Sequence, residues 1–214
     1  MKFYCSGLLF DNDGVLVDSH AAAKAAWDVW ALEYYPGYDL DKAKNAGRRA
    51  EDMVREMVAP DLFEVANNRI NELEQETAHL TVPITGAREL LISLPVGLWT
   101  VVTSGNNNLG RARLAAAALP IPQQLVTGDD VKRGKPFPDP YLLGAKKLGF
   151  EPEDCVVFED AEAGVVSAFE AGVGLVIGVG TRGLETQADM VVKDLTGISF
   201  DGEELVIPDK NRLR

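Results

Sequence analysis

The sequence predicts a doubly wound α/β domain with a mostly parallel sheet, interrupted early by an all-helical insertion. Three observations carry this prediction. Short apolar runs end in small or polar residues, segments of helix formers separate those runs, and one interval near the start lacks the alternation altogether. Continuous rather than alternating apolar runs are what strands buried on both faces require.

The elements follow in order. Gly7 to Phe10 is the first predicted strand, and Leu98 to Val102, Leu125 to Val126, Val156 to Phe158 and Leu175 to Val179 are the later ones. Between them Arg88 to Leu94, Leu109 to Leu119, Pro140 to Leu148 and Glu162 to Glu170 place helix formers at helical spacing, several closing at Gly or Pro. The interval from Val17 to Leu80 is rich in Ala, Glu, Lys, Met and Trp and poor in β-branched runs, so it is expected to be all helix. Ala21 to Tyr35, Leu40 to Ala46, Ala50 to Val58 and Pro60 to Ala78 are its candidate helices, punctuated by Pro36-Gly37 and Ala59-Pro60. Thr81 to Gly86 returns the chain to the sheet. The expected division is therefore a core of residues 1–16 and 82–214 and a helical cap of residues 17–81, set over the carboxyl ends of the strands where open α/β sheets bind ligands. The polar stretch Asp209 to Arg214 reads as a fraying end.

Composition narrows the function. The 33 acidic and 21 basic residues give a net charge of −12, which repels nucleic acid and anionic membranes and excludes both as partners. It repels a phosphorylated substrate as well, so a site for one needs a local cation to reverse the field. Cys5 and Cys155 lie in apolar runs without a C-x-x-C pair, which points to reduced, buried thiols and a cytoplasmic setting. The N-terminal Met1 to Phe10 has no export-signal pattern, and no apolar segment is long enough to span a bilayer.

Four polar clusters end predicted strands. Asp11-Asn12-Asp13-Gly14 puts two carboxylates two residues apart, with a glycine that permits the bend needed to turn both toward one ligand. A carboxylate can attack phosphorus and split a very slow hydrolysis into two steps. A second carboxyl group can give its proton to the leaving oxygen and later accept one from water. Asp11 is the candidate nucleophile and Asp13 the candidate acid/base; the competing role for either is a helix cap. Glu159-Asp160 repeats the carboxylate arrangement after Phe158. With Asp11 and Asp13 these residues form a hard-oxygen set suited to Mg²⁺, and helix capping is again the alternative. Thr103-Ser104-Gly105 offers hydroxyls and backbone N–H groups to a phosphate, or Thr103 serves as an ordinary N-cap. Lys135, in the rigid Arg133-Gly134-Lys135-Pro136 loop, can neutralise the nucleophile and the transferred phosphoryl group as a point charge.

Together D-N-D-G-V, V-V-T-S-G, R-G-K-P and F-E-D-A resemble the four signature motifs of haloacid dehalogenase-like hydrolases, over nearly the whole chain. The stretches Val131 to Pro136 and Val156 to Ala161 are similar to the sugar phosphatases and glycerol-3-phosphatases of that superfamily. The resemblance implies a Rossmann-like core, a small helical cap after the first motif, Mg²⁺ and an aspartyl-phosphate intermediate. It assigns Asp11 as nucleophile, Asp13 as acid/base and metal ligand through its carbonyl, Thr103 and Lys135 as phosphate binders and Asp160 as metal ligand, and it suggests a cis Lys135-Pro136 peptide. Dehalogenases and phosphonatases of the superfamily lack the second acid, so Asp13 favours phosphoester cleavage. The β-phosphoglucomutase branch carries a cap histidine where Ala23 stands here.

The expected substrate is a small sugar or polyol phosphate, handled by a monomer or weak homodimer. Specificity is expected from the cap. There Arg48 and Arg49, between two candidate helices, either reach sugar hydroxyls or a phosphate oxygen or are solvated charges beside Glu51 and Asp52. Trp27, Trp30 and Tyr34 read as cap core, and His79 as a linker residue without a chemical task. The alternatives are a sugar-phosphate mutase, a phospho-receiver and a silent binding protein; the receiver lacks a helical insertion at this point, and the binding protein is expected to have lost a motif residue.

Overall fold

A computed structural model describes residues 1–43 and 45–214. In chain order the elements are β1 (Lys2–Tyr4), β2 (Gly7–Phe10), β3 (Val17–Asp18), α1 (His20–Tyr34), α2 (Ala50–Met57), α3 (Phe63–Thr77), β4 (Val82–Pro83), α4 (Ala87–Ser93) and β5 (Trp99–Val101). The chain continues with α5 (Asn107–Ala116), α6 (Asp139–Leu148), β6 (Cys155–Glu159), α7 (Glu162–Glu170), β7 (Leu175–Val179), α8 (Gly180–Gly183), β8 (Met190–Val192), β9 (Ser199–Phe200) and β10 (Glu204–Val206).

The central sheet is parallel with the order β5-β2-β6-β7-β8. Val126, on the predicted Leu125–Val126 run, adds a single parallel bridge to Val102 outside β5. The chain thus winds outward from β2 in one direction and returns to wind outward from β6 in the other. The switch point lies between β2 and β6, and in such sheets the crevice outside the carboxyl ends at that point receives the ligand.

Both faces of the sheet are covered, which is why its strands are apolar throughout. Leu8 and Phe10 of β2 and Val156 and Phe158 of β6 point into one core cluster, shared with Leu90 and Leu91 of α4 and Leu114 of α5. Leu9, Cys155 and Val157 point to the opposite cluster, with Tyr141 and Ala145 of α6 and Val165 and Ala168 of α7. The Phe10 and Phe158 rings stack at 4.8 Å just beneath the site. Emptying that layer with Phe10→Ala costs about 3–5 kcal/mol.

The insertion is helical. Trp27 and Trp30 of α1, Met53 and Val54 of α2, and Ala66, Ile70 and Leu73 of α3 form their own cluster, and Trp30 Nε1 donates to the Ala66 carbonyl at 2.9 Å. Tyr34 packs against the same cluster, so the three aromatics are core residues. The short antiparallel ribbon of β3 and β4 joins the strands entering and leaving the block.

Two expectations are corrected. Leu40 to Ala46 forms turns, not a helix, among the described residues; Lys44 lies outside them. Asp39 carboxylate accepts the Asp41 N–H at 3.0 Å, and the Lys42 and Ala43 N–H groups go back to the Asp39 carbonyl, so local bonds compete with helix propagation. The stretch Asp209 to Arg214 is docked: Asn211 donates to the carbonyls of Asp194 and Thr196, and Arg212 bridges Val192. An antiparallel sheet β1-β10-β9 was not foreseen. Cys5 and Cys155 are free thiols, half-buried and buried respectively. Among the described residues no helix is long and apolar enough to cross a membrane.

Candidate active site

Asp11 and Asp13 emerge from the carboxyl end of β2 into a tight turn in which the Leu16 and Val17 N–H groups donate to the Asn12 carbonyl. Neither acid caps a helix, because α1 begins only at His20, after Ser19. Gly14 is required twice over. Its φ is +84°, and a Cβ there would lie 1.9 Å from Asp160 Oδ2, so any side chain would push the motif-four acid away.

Lys135 is the hub. Its ammonium is 1% exposed and donates to Asp11 Oδ1 at 2.6 Å, Glu159 Oε1 at 2.7 Å and the Val102 carbonyl at 3.0 Å. It thereby ties together the ends of β2, β5 and β6. The Lys135-Pro136 peptide is cis, as the resemblance suggested. Glu159 is fully buried and its carboxylate is shared among four protein donors: Lys135 and Tyr141 Oη (2.8 Å) at Oε1, and the Asp160 and Ala161 N–H groups (2.9 and 3.1 Å) at Oε2. This is not the helix-capping role weighed for it: both amides precede α7, whose first turn takes no side-chain cap.

Asp11, Glu159 and Asp160 each offer an oxygen within 4.8 Å of the others, and all three are buried. The Asp13 carboxylate is not in this group. Asp160 Oδ2 is buried and receives no hydrogen bond; the closest cation is Arg182 Nε at 3.3 Å. Burial raises the Asp160 carboxyl to about 7, against the pull of Arg182. Burial also pushes Asp11 well above the usual carboxylate range; Lys135 opposes the shift and Glu159 and Asp160 reinforce it. Burial alone would lower the Lys135 ammonium, yet Asp11 and Glu159 hold it above its ordinary value. Three buried acids thus face one buried lysine. A buried oxygen without a hydrogen bond, in an all-oxygen donor set of three acids, fits a hard divalent cation.

The Asp13 carboxylate is held through Oδ1, which accepts from Ser19 Oγ at 2.5 Å and from an Arg113 NH1 at 3.0 Å. Arg113 also donates to Glu74 at 3.3 Å. Arg113, Glu74, Ser19, Tyr141 and Arg182 were not picked out from the sequence. A signal existed for two of them: Arg113 falls on the apolar stripe of α5 with Leu109 and Leu114, and Glu74 lies beside Leu73 in the register of Ile70 on α3. A lone charge on a buried face needs a buried partner.

The third motif residue, Thr103, is buried, and its Oγ1 accepts the Gly105 N–H at 3.1 Å. It is not the cap of α5; Asn106 is, accepting the Leu109 N–H at 2.9 Å. Ser104 Oγ donates to the Gly47 carbonyl at 2.6 Å, so this hydroxyl joins the helical block to the sheet. Arg48 is paired with Glu56, and Arg49 with Asp52 at 2.7 Å; Arg49 also donates to the carbonyls of Gly128 and Val131. Both arginines line a cavity of about 340 Å³ that reaches Lys135, placing them at its edge with their charges already partnered. Ala23 packs against the cap cluster, and His20, three residues before it, pairs with Asp41 at 2.9 Å, so no imidazole stands at the mutase position. His79 is exposed and contacts the Glu76 carbonyl.

The family model described as haloacid dehalogenase-like hydrolase matches residues 5–172, a span containing all four motifs. Hexitol phosphatase A of Escherichia coli (strain K12) is 43% identical over 173 residues, covering 78% of this chain and 80% of its own length. Glycerol-1-phosphate phosphohydrolase 1 of Saccharomyces cerevisiae is 32% identical over 182 residues, covering 78% of this chain and 72% of its own. The crystal structure of a hydrolase from Pseudomonas syringae superposes with a TM-score of 0.78 at 25% identity, covering 89% of this chain and 94% of that one. With the acids and the lysine of those motifs drawn together at the carboxyl ends of the inner strands, the chain belongs to the haloacid dehalogenase-like hydrolases.

Proposed function

We propose that the protein is a cytoplasmic, Mg²⁺-dependent phosphatase that hydrolyses a small sugar or polyol phosphate through an aspartyl-phosphate intermediate on Asp11. The observation that carries this reading is the buried Lys135–Asp11 contact at 2.6 Å beside the buried Asp160 Oδ2, which receives no hydrogen bond. The named activities of the bacterial hexitol phosphatase and the yeast glycerol-1-phosphate phosphohydrolase support the substrate class.

An oxygen of ionised Asp11 forms a bond to phosphorus as the ester P–O bond breaks, and Asp13 gives its proton to the departing alkoxide. Asp13, now ionised, takes a proton from water. The resulting hydroxide attacks the phosphorus, inorganic phosphate leaves and the Asp11 carboxylate is restored. Lys135 holds Asp11 in place and offers positive charge where the transferred oxygens become negative. Glu159 fixes Lys135 from behind, its oxygens being taken up by protein donors, and the Thr103 hydroxyl with the Ser104 amide cradles the phosphate, the Gly105 N–H being spent on Thr103 Oγ1. Asp11, Asp160 and the Asp13 carbonyl would hold Mg²⁺, which when bound supplies charge neutralisation and orients the phosphate. Residues 17–81 act as a cap on the core of residues 1–16 and 82–214; Arg48 and Arg49 stand at the cavity for substrate contact, and its lining sets six basic side chains against Asp52 and Glu56, a local positive excess that a chain of net charge −12 needs.

The experiment is phosphate release from a panel of sugar and polyol phosphates, with Mg²⁺ and with chelator. Release with metal and its loss with chelator are expected. No release from any member with metal present would refute the proposal.

A further inference from the structure

We propose that Arg113 is a positioning residue for Asp13, anchored by Glu74, and that it fixes which carboxyl oxygen of Asp13 faces the leaving group. The inference rests on the phosphatase reading above and adds to it a part of the machinery outside the four motifs.

Arg113 lies in the last turn of α5, 5% exposed, and bridges two carboxylates: one NH group reaches Asp13 Oδ1 at 3.0 Å and the other Glu74 Oε1 at 3.3 Å. Glu74 belongs to α3 of the helical block and is itself 7% exposed. A guanidinium has donors only and cannot be deprotonated in a protein. The oxygen it faces is therefore locked as an acceptor. Ser19 Oγ donates to the same oxygen at 2.5 Å, so both hydrogen bonds to the Asp13 carboxylate among the described residues go to Oδ1. Oδ2 is left as the carboxyl oxygen free to face a leaving group.

Stability alone gives no reason for the arrangement. Buried ion triads are often replaced by apolar residues of similar volume without loss of stability. What apolar side chains cannot reproduce is the directional claim on Oδ1. Glu74 supplies the second anchor, so the guanidinium keeps its orientation only while α3 is seated on α5. The position of the helical block is thereby communicated to the acid/base through one side chain.

Leaving-group dependence tests the proposal. An alkoxide must be protonated as it departs, whereas p-nitrophenolate leaves readily without a proton, so a misplaced acid harms the first kind of substrate selectively. We compare kcat/KM for a polyol phosphate and for p-nitrophenyl phosphate, with Mg²⁺, in the wild type, in Arg113→Lys and in the double variant Arg113→Met/Glu74→Leu, which removes the buried charges together. The double variant is expected to lose about 100-fold on the polyol phosphate and less than about 3-fold on p-nitrophenyl phosphate. Arg113→Lys, which keeps the charge but not the fork, is expected to lose about 10-fold with the same sparing. Equal losses on both substrates, or no loss on either, would overturn the assignment of Arg113 while leaving the phosphatase reading standing. A wild type that releases phosphate from neither substrate would instead remove the reading itself.

Discussion

Lys135→Met removes the cation buried between Asp11 and Glu159 and keeps roughly the same volume. The ammonium satisfies Asp11 at 2.6 Å, Glu159 at 2.7 Å and the Val102 carbonyl at 3.0 Å, all out of contact with water. Removing one partner of a buried ion pair costs about 3–5 kcal/mol, because the remaining charge stays buried and unpaired. The orphaned carbonyl adds roughly 1 kcal/mol. Domains have about 5–15 kcal/mol in total, so the variant should stand near the edge of folding at neutral pH. Adding Glu159→Gln should recover about 2 kcal/mol: the amide oxygen can keep the Asp160 and Ala161 N–H groups while its NH₂ donates to Tyr141 Oη. Activity should not return in the double variant, since the charge beside Asp11 is still missing; a loss of about 10²–10³-fold in kcat is expected. Urea unfolding followed by circular dichroism, beside phosphate release, measures both quantities. A single variant within 1 kcal/mol of wild type, or a double variant no more stable than the single, would refute the idea that Lys135 is held by unscreened buried charge.

Gly14→Ala places a methyl group 1.9 Å from Asp160 Oδ2 at a φ of +84°. It should cost about 1–3 kcal/mol and weaken the Mg²⁺ requirement curve toward higher metal, read by titrating activity with the ion; an unchanged midpoint would contradict the close approach. The metal-free protein should lose stability as pH rises from about 4 to about 7. Asp160 holds its proton up to about 7 in the folded state but only to its ordinary value of 3.8 when unfolded, so the unfolded chain sheds the proton first and gains on the native state. The decline is on the order of 4 kcal/mol, and saturating Mg²⁺ should flatten it by keeping the carboxylate ionised. Urea midpoints with chelator and with Mg²⁺ that show the same slope against pH would count against Asp160 as a metal ligand.

Much of the fold could be read directly because it is local. β2 and β7 are uninterrupted apolar runs with the bounds read from the sequence, since burial on both faces removes the need for alternation. The strand-end acids and Lys135 were legible for the same reason: polar residues that terminate apolar runs stand out. Elements whose existence depends on distant partners were not. β1 pairs with β10, two hundred residues away, and β8 has three residues, too few for any period to register. Leu40 to Ala46 shows the reverse failure, because helix propensity lost to the Asp39 side chain closing a local turn. Within the site, Arg113 and Glu74 stand out only as charges on the apolar stripes of their helices, their pairing being invisible until α3 and α5 are brought together, and nothing local marks Tyr141 as the fourth donor to Glu159.

The most direct test of the mechanism is covalent. The enzyme is mixed with a ³²P-labelled polyol phosphate and Mg²⁺, quenched in acid within one turnover and digested, and the labelled peptide is identified. The label should reside on the peptide containing Asp11 and vanish in Asp11→Asn, together with phosphate release. Label on another residue, or turnover by Asp11→Asn, would contradict the assignment of Asp11 as the nucleophile.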